Sequence, residues 1–538
     1  MRNFKPNRLL AHVLLAPAAY FLIANDAWAQ FDPGREATEA PGVAAHFPDP
    51  AGVRFATPGF DPAQPAFTSH AQMMARLQAL AESHPRSVRL GSAGASAQGR
   101  DLPTVLLAEG GRWRPERPTL MLVAHQHGNE PAPGEAMLVL LERWAAPESA
   151  ALLKRVNVVA LPRANPDGAA AFKRVGSDGT DINRDHLLLR TPEARAMAAV
   201  ATRYRPQVVL DMHEFTAGER WIKKFGGWTS TDVMLQSAMT GNLSPEIAQA
   251  GLDVFLPAIR RAVQAEGLRD DWYNTTSADP QSPVAMGGVQ PDTWRNIGGL
   301  RNAVSILHET RGIGLGKAHL ARRVQSHVVA AQALIEQMAA QGPALVALGR
   351  RVDRDVAAQA CKGQITVAAG QTPEKRTLTF YDAKTGAELK PTVDWGSALT
   401  LRVQRERARP CGYWLAPSEK AAVEALRALG VQVKSMPGAR QVSAERYVFK
   451  SAEQGQRQDG RGAIQDAGGI VKTEVALAPA RVRLPAGGWT VSLAQPLAGL
   501  VTAALEPDSQ NSYVAARMIA VPKEGEGDRL LRLMAPVR

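Results

Sequence analysis

Three short stretches concentrate residues able to hold a metal ion and move a proton. His127 and Glu130, in His125-Gln126-His127-Gly128-Asn129-Glu130, stand three apart directly after the apolar run Thr119 to Ala124. That spacing at a strand end lets an imidazole and a carboxylate converge on one ion. Alone the motif is weak, because an exposed loop His and Glu is its ordinary alternative meaning. A second apolar run, Val208 to Leu210, leads into Asp211-Met212-His213-Glu214 and offers another imidazole at another strand end. Two His and one Glu with an open fourth position form a catalytic zinc arrangement, in which the metal polarises a carbonyl and brings the pKa of bound water to about 7. Such chemistry needs a base beside the water. The run Ala303 to Leu307 ends in His308-Glu309-Thr310-Arg311-Gly312, and Glu309 follows a buried stretch where an idle carboxylate would be expensive. Pairing of Glu309 with an arginine is the plain alternative, and it loses weight once the other two strand ends are counted.

An alternation of helices and strands must position these residues. Ser69 reads as the N-cap of a helix through Met73, Leu77 and Leu80 that stops before Pro85. Apolar runs at Val105 to Ala108, Thr119 to Ala124, Val156 to Leu161, Val208 to Leu210 and Ala303 to Leu307 are separated by helical patterns at Gly134 to Trp144, Pro192 to Tyr204 and Glu246 to Glu266. The predicted fold class is therefore α/β, a mixed central sheet flanked by helices, with ligand sites just past the strand ends. A helix over about Lys317 to Gln341 closes this unit, and Gly342-Pro343 marks a boundary. Beyond about residue 360 short alternating runs such as Thr377 to Tyr381 and Leu399 to Val403, with one helical insert at Ser418 to Leu429, predict a β-rich domain of sandwich type without a catalytic cluster. Residues 451 to 468, polar and rich in Gly and Gln, read as its flexible loop. The expected division is 1–29 signal peptide, 30–66 extended leader that wraps a domain or stays mobile, 67–342 catalytic domain and 343–538 β-rich domain.

A fourth cluster makes the pattern specific: Pro162-Arg163-Ala164-Asn165-Pro166-Asp167-Gly168, then Lys173-Arg174, then Asp181-Ile182-Asn183-Arg184. The ordered set HGNE, NPDG, a following Arg, DINR, DMHE and HETR resembles the zinc metallocarboxypeptidases, peptidase family M14, with the fold of pancreatic carboxypeptidase A. The likeness covers roughly residues 65 to 340 and extends upstream to Gln98-Gly99-Arg100-Asp101, similar to the family's E-G-R turn. The resemblance implies one Zn2+ held by His127, Glu130 and His213, with Glu309 as the base that activates the zinc water. It implies that Arg174 polarises the scissile carbonyl and stabilises the oxyanion. Asn183 and Arg184 match the pair that grips a terminal carboxylate, and Asp181 matches the carboxylate that orients a zinc-bound histidine. His125 is the rival ligand to His127, which alone has the three-residue spacing to Glu130. The family's mobile tyrosine has no clear counterpart: Tyr273, in DDWYNTT, is the one Tyr between His213 and Glu309, and its role stays open. Arg295 and Arg301 are candidate second anchors for an acidic substrate, with surface placement the blander expectation. The stretch from Leu484 to Val514 resembles a C-terminal extension of some bacterial carboxypeptidase-like proteins, and its region's Trp414, Trp489 and Tyr513 are expected to pack in a core.

Composition narrows the setting. Over 538 residues, 45% hydrophobic and 21% charged is an ordinary globular balance, against a function carried by an unstructured tail. Arg2, Lys5 and Arg8 precede the apolar stretch Leu9 to Ala24, and Ala27-Trp28-Ala29 is a small-x-small cleavage site. A signal peptide ending at Ala29 implies a periplasmic or secreted protein, an uncleaved anchor being the alternative. The apolar stretch is shorter than the ~20 residues a membrane span needs. In an oxidising compartment Cys361 and Cys411 are expected to form a disulfide. Loss of the leader takes the net charge from +12 to +10, diffuse and without a basic block; nucleic acid is not an expected partner, while cell-wall association stays open. The first functional reading is an exported zinc carboxypeptidase acting on peptides with a free C-terminal carboxylate. A zinc amidase or deacylase acting on a cell-wall peptide or an N-acyl amino acid is the second. A non-enzymatic binding protein is the third, disfavoured because every expected catalytic position is filled.

Overall fold

In the computed structural model, which describes residues 31–464, 469–523 and 525–536, the apolar runs assemble into one eight-stranded mixed sheet. Its order is Val88–Ala95, Asp101–Leu107, Asn157–Leu161, Thr119–Ala124, Val208–Thr216, Val304–Ile313, Val233–Ser237 and Asp270–Trp272. The four central strands are mutually parallel, and the flanking hairpin at one edge is antiparallel. Thr119–Ala124 and Asn157–Leu161 are buried at every position, as parallel strands covered on both faces must be. On one face pack the helices His70–Ser83, Ala132–Ala145 and Leu320–Gln341. The first begins in a capping box between Ser69 and Gln72. Pro192–Tyr204 and Trp294–Leu300 lie on the opposite face.

Val208–Thr216 and Val304–Ile313 run well past the apolar residues that announce them. They pair in parallel register from Val208 opposite Val304 to Phe215 opposite Arg311. His213 and Glu309 therefore sit side by side inside the sheet and not on loops beyond it. Polar residues persist in such buried strands only with partners, and several have them: Glu214 with Arg323 at 2.6 Å and Arg311 with Glu39 at 2.8 Å.

The segment 30–66 wraps the domain from its first described residue, Phe31. Val43 and Phe47 are buried, and Glu39 binds both Arg311 and His319. The expected signal peptide, 1–29, lies outside the described residues.

The boundary at Gly342 is marked by a positive φ of 51°, yet a second helix, Pro343–Ala358, follows before the first strand of the β-rich part, Gln364–Thr377. That part is also not an appendage. Val284–Met286 pairs with Thr392–Ala408, and Gly227–Thr229 pairs with Phe380–Asp382, so two small sheets are built from both halves of the chain. Tyr413, Leu426, Leu500 and Tyr513 share one apolar cluster with Met121, Val123 and Val209 of the central sheet. The C-terminal half thus supplies the second covering layer of that sheet. Cys361 and Cys411 are joined in a disulfide. Trp414 and Tyr513 are buried and Trp489 is half-buried. Among the described residues no helix is long and apolar enough to cross a membrane.

Of the expected flexible loop, 451–468, residues 451–464 are ordered, and 465–468 lie outside the described residues. The strand Arg440–Gly455 pairs along its length with Ile470–Leu484, and the chain between them folds into a small hairpin, Gln458–Asp459 against Gly462–Ala463. Charged side chains hold the hairpin to the catalytic half: Arg457 meets Asp292, and Asp459 meets Arg184.

Candidate active site

The turn after Thr119–Ala124 is shaped by its fit to the turn after Asn157–Leu161. His125 takes a left-handed conformation, and its carbonyl accepts from the Asn165 amide at 3.0 Å. Asn165 in turn caps Pro166–Ala171 through Gly168 N and donates to the Gln126 carbonyl. A Cβ on Gly128 would lie 1.9 Å from the Gly168 carbonyl carbon, so only glycine permits this approach. Asp167 ties the second turn to the edge hairpin through Ser96, Gln98 and Arg100. The HGNE, NPDG and QGRD sequences are one interlocked scaffold.

That scaffold brings three donors together. His127 Nδ1 lies 2.7 Å from Glu130 Oε1, His213 Nδ1 lies 2.8 Å from Glu130 Oε2, and the two Nδ1 atoms are 3.1 Å apart. All three side chains are buried. Behind them, His127 Nε2 donates to Asp181 Oδ1 at 3.1 Å and His213 Nε2 to Asp211 Oδ1 at 2.9 Å. Each ring thus has a carboxylate on both of its nitrogens, and against the effect of burial Asp211 with Glu130 raises the His213 pKa well above its usual value; a cation held on the Nδ1 side would leave the proton of each neutral ring on Nε2, toward Asp181 and Asp211. Three metal-binding donors converging in one buried space form a set that a single cation could bridge. The donor set, two imidazole nitrogens and one carboxylate, suits zinc. Burial raises the Glu130 pKa, and the two imidazoles more than offset it, holding the carboxyl well below its usual range.

Glu309 faces the same space from the neighbouring strand, its Cα paired in register with that of His213. No described residue hydrogen-bonds or ion-pairs with its carboxylate, so the arginine partner that would make it merely structural is absent among them. Burial, with Glu130 adding, pushes its pKa up to about 7 against the pull of His213 and Arg174. Arg174 donates to Asp181 at 3.0 Å and reaches within 3.5 Å of Glu130 and 3.2 Å of His127. Tyr273 is also in the cleft, its hydroxyl pushed up to about 12 by burial and by Glu309.

The expected carboxylate grip is engaged from within. Asn183 accepts from the Trp294 amide at 2.8 Å, and Arg184 donates to Asp459 at 2.6 Å and to the Asn183 carbonyl at 2.7 Å. Arg461, two residues on in the hairpin, also binds Asp459 and lines the cleft. With the hairpin in place the cleft measures about 60 Å3, room for a few waters.

The structure thus brings together His127, Glu130, His213, Glu309, Arg174, Asp181, Asn183 and Arg184. His125 points elsewhere: its Nε2 hydrogen-bonds the Gly128 carbonyl and it is absent from the donor cluster. Arg301 lies outside the cleft, bonded to the Leu429 carbonyl and Thr202. Arg295 is no surface residue, being 3% exposed and part of the cleft wall. Asp211, Asp459 and Arg461 went unread in the sequence. Asp211 had a local signal, a carboxylate two before a ligand histidine on one strand face; the other two had none.

Residues 73–239 match the zinc carboxypeptidase family, peptidase M14. The chain is 29% identical over 402 residues to carboxypeptidase 2 of Trichophyton equinum, covering 73% of each, and equally to carboxypeptidase 2 of Trichophyton rubrum. Among solved structures, the metallo-carboxypeptidase of Pseudomonas aeruginosa is similar over 50% of this chain and 68% of its own, at 21% identity and a TM-score of 0.38.

Proposed function

Since the chain carries a zinc carboxypeptidase domain of the M14 family and is a peptide hydrolase of that kind, we propose that it is an exported enzyme hydrolysing the C-terminal peptide bond at the site built on His127, Glu130 and His213. The observation that carries this reading is the convergence of those three donors beside Glu309, whose carboxylate has no partner among the described residues. Zinc, held by them, would supply a Lewis acid and an acidified water. Glu309 acts as the base: its carboxylate is desolvated, free of partners among the described residues, and able to take a proton from water and hand it to the leaving amine. Arg174, anchored by Asp181, presents Nη1 to the space where a scissile carbonyl gains charge. Asp181 and Asp211 fix the tautomers of the two imidazoles.

Arg184, beside Asn183, binds the substrate's α-carboxylate in this reading, and Asp459 occupies that position before substrate arrives. The same contact favours a second reading, an amidase or deacylase that needs no free α-carboxylate, because Arg184 is already neutralised. One experiment separates them. On paired peptides with free and amidated C-termini, the carboxypeptidase cleaves only the free form, and Asp459→Asn lowers its KM by about tenfold, the scale of one charge-assisted hydrogen bond. Undiminished cleavage of amidated peptides establishes the amidase instead.

Export is supported by the n-region, apolar stretch and Ala27-Trp28-Ala29 site, and by a disulfide that suits an oxidising compartment. The mature protein is expected to begin at Gln30. An intact mass that retains residues 1–29 after secretion would reject cleavage there.

A further inference from the structure

Arginines that are buried in this protein mostly face a carboxylate: Arg311 meets Glu39, Arg322 meets Asp232, Arg323 meets Glu214 and Arg457 meets Asp292, whereas Arg163, outside the cleft, donates to the Thr68 carbonyl. Arg295 does not face one either. Its Nη2 donates to the Gly288 carbonyl at 2.8 Å and its Nε reaches Asn296 Oδ1 at 3.4 Å, and no carboxylate among the described residues comes within ion-pairing distance. A guanidinium removed from water and given only neutral acceptors is costly, and a fold retains one where something else completes it.

Its position says what that could be. Arg295 lies in the wall of the catalytic cleft, where its charge is felt by Tyr273, Asp211, Arg184 and Glu309. Gly287 packs against it so closely that a Cβ there would stand 2.9 Å from Arg295 Nη1 and 2.8 Å from the Tyr273 ring. Without a side chain at 287, the guanidinium borders the cleft. Burial lowers its pKa to about 10, so it stays charged at neutral pH. Arg220 on the same wall is also without an ion-pair partner among the described residues, donating only to the Thr276 carbonyl.

We propose that Arg295 recognises the side chain of the residue to be released, and that the preferred substrates are peptides ending in glutamate or aspartate. This rests on the carboxypeptidase reading: Arg184 takes the α-carboxylate, and Arg295 takes the second carboxylate of an acidic terminal residue. A glutamine in its place leaves the buried cation unpaired, and a lysine adds a second buried cation. Sites that hydrogen-bond a polar group reject analogues lacking it more strongly than apolar pockets discriminate by size.

The test uses the full-length zinc-loaded enzyme on N-acyl dipeptides that differ only in a terminal Glu, Gln, Leu or Lys, with calorimetric binding of free glutamate and glutamine alongside. The wild type is expected to prefer Glu over Gln in kcat/KM by at least about tenfold. Arg295→Met brings that ratio close to one, and Arg295→Lys keeps part of it; being a ratio within one protein, the readout is insensitive to partial loss of folded enzyme. Equal turnover of Glu and Gln by the wild type, or an unchanged ratio in Arg295→Met, overturns the assignment. If no free-C-terminal peptide is cleaved while glutamate still outbinds glutamine, the carboxypeptidase reading falls and the role of Arg295 stands. Equal binding of the two amino acids removes the role as well.

Discussion

Glu309→Gln is expected to lower kcat/KM on a peptide with a free C-terminus by about 10²–10⁴-fold, the usual contribution of a positioned acid–base group, with metal content unchanged at one ion per chain. The amide matches the carboxylate in size and cannot accept the proton. Glu309 is 8% exposed and no described residue bonds to its carboxylate, so the exchange removes no contact on which the fold depends. Its Cα pairing with His213 is a backbone matter and survives the change. Activity and stability should therefore separate: turnover collapses while Tm does not fall. A structural Glu309 would behave in the opposite way, losing stability with turnover roughly preserved in the molecules that remain folded. Measuring kcat/KM, zinc stoichiometry and Tm on one preparation decides the matter, and a variant within a few-fold of the wild-type rate would remove Glu309 from the reaction.

The parts of this site that were legible in the sequence are those whose meaning is local. His127 and Glu130 are three residues apart in one turn, and His213 and Glu309 each follow closely on an apolar run. The apolar runs before them place each group at the end of a central strand, because only there can Val, Leu and Ile be covered on both faces. The lengths of the strands were less legible, since Asp211, Glu214 and Arg311 look like the end of a strand until their partners Gln126, Arg323 and Glu39 are known. The hairpin that enters the site was not legible at all. Asp459 is 275 residues from Arg184, and its neighbourhood of Gly, Gln and Arg carries the composition of a loose loop. Its order comes from ion pairs to the other half of the chain, and sequence spacing holds no trace of them. The strands by which the β-rich part joins the catalytic half were illegible for a related reason: three-residue strands such as Gly227–Thr229 and Phe380–Asp382 have no period long enough to read, and they form because they find each other. Arg295 belongs to the same class, since nothing near it in PDTWRN distinguishes a cation in a cleft from one in water.

Removing the imidazole of His213 should produce the largest loss of all, because it takes away a donor and uncovers two acids at once. In His213→Ala, Asp211 loses the N–H at 2.9 Å and Glu130 loses the nitrogen at 2.8 Å. Both carboxylates then remain buried without the group that lay between them, so stability should fall along with metal binding. Loss of activity alone would not identify a ligand, and two further variants supply the contrast. Asp211→Asn leaves the imidazole in place but removes the acceptor that fixes its proton on Nε2; metal should still bind, with affinity lower by about 10–100-fold. His125→Asn changes the neighbouring histidine, whose Nε2 is bonded to the Gly128 carbonyl, and should leave metal stoichiometry intact. Zinc per chain after dialysis against a graded metal buffer ranks the three: absent in His213→Ala, retained but readily stripped in Asp211→Asn, and as tight as wild type in His125→Asn. The ranking follows from which nitrogen faces inward, so a His125 variant that loses its metal while His213→Ala keeps it would reverse the geometry on which the whole site is built.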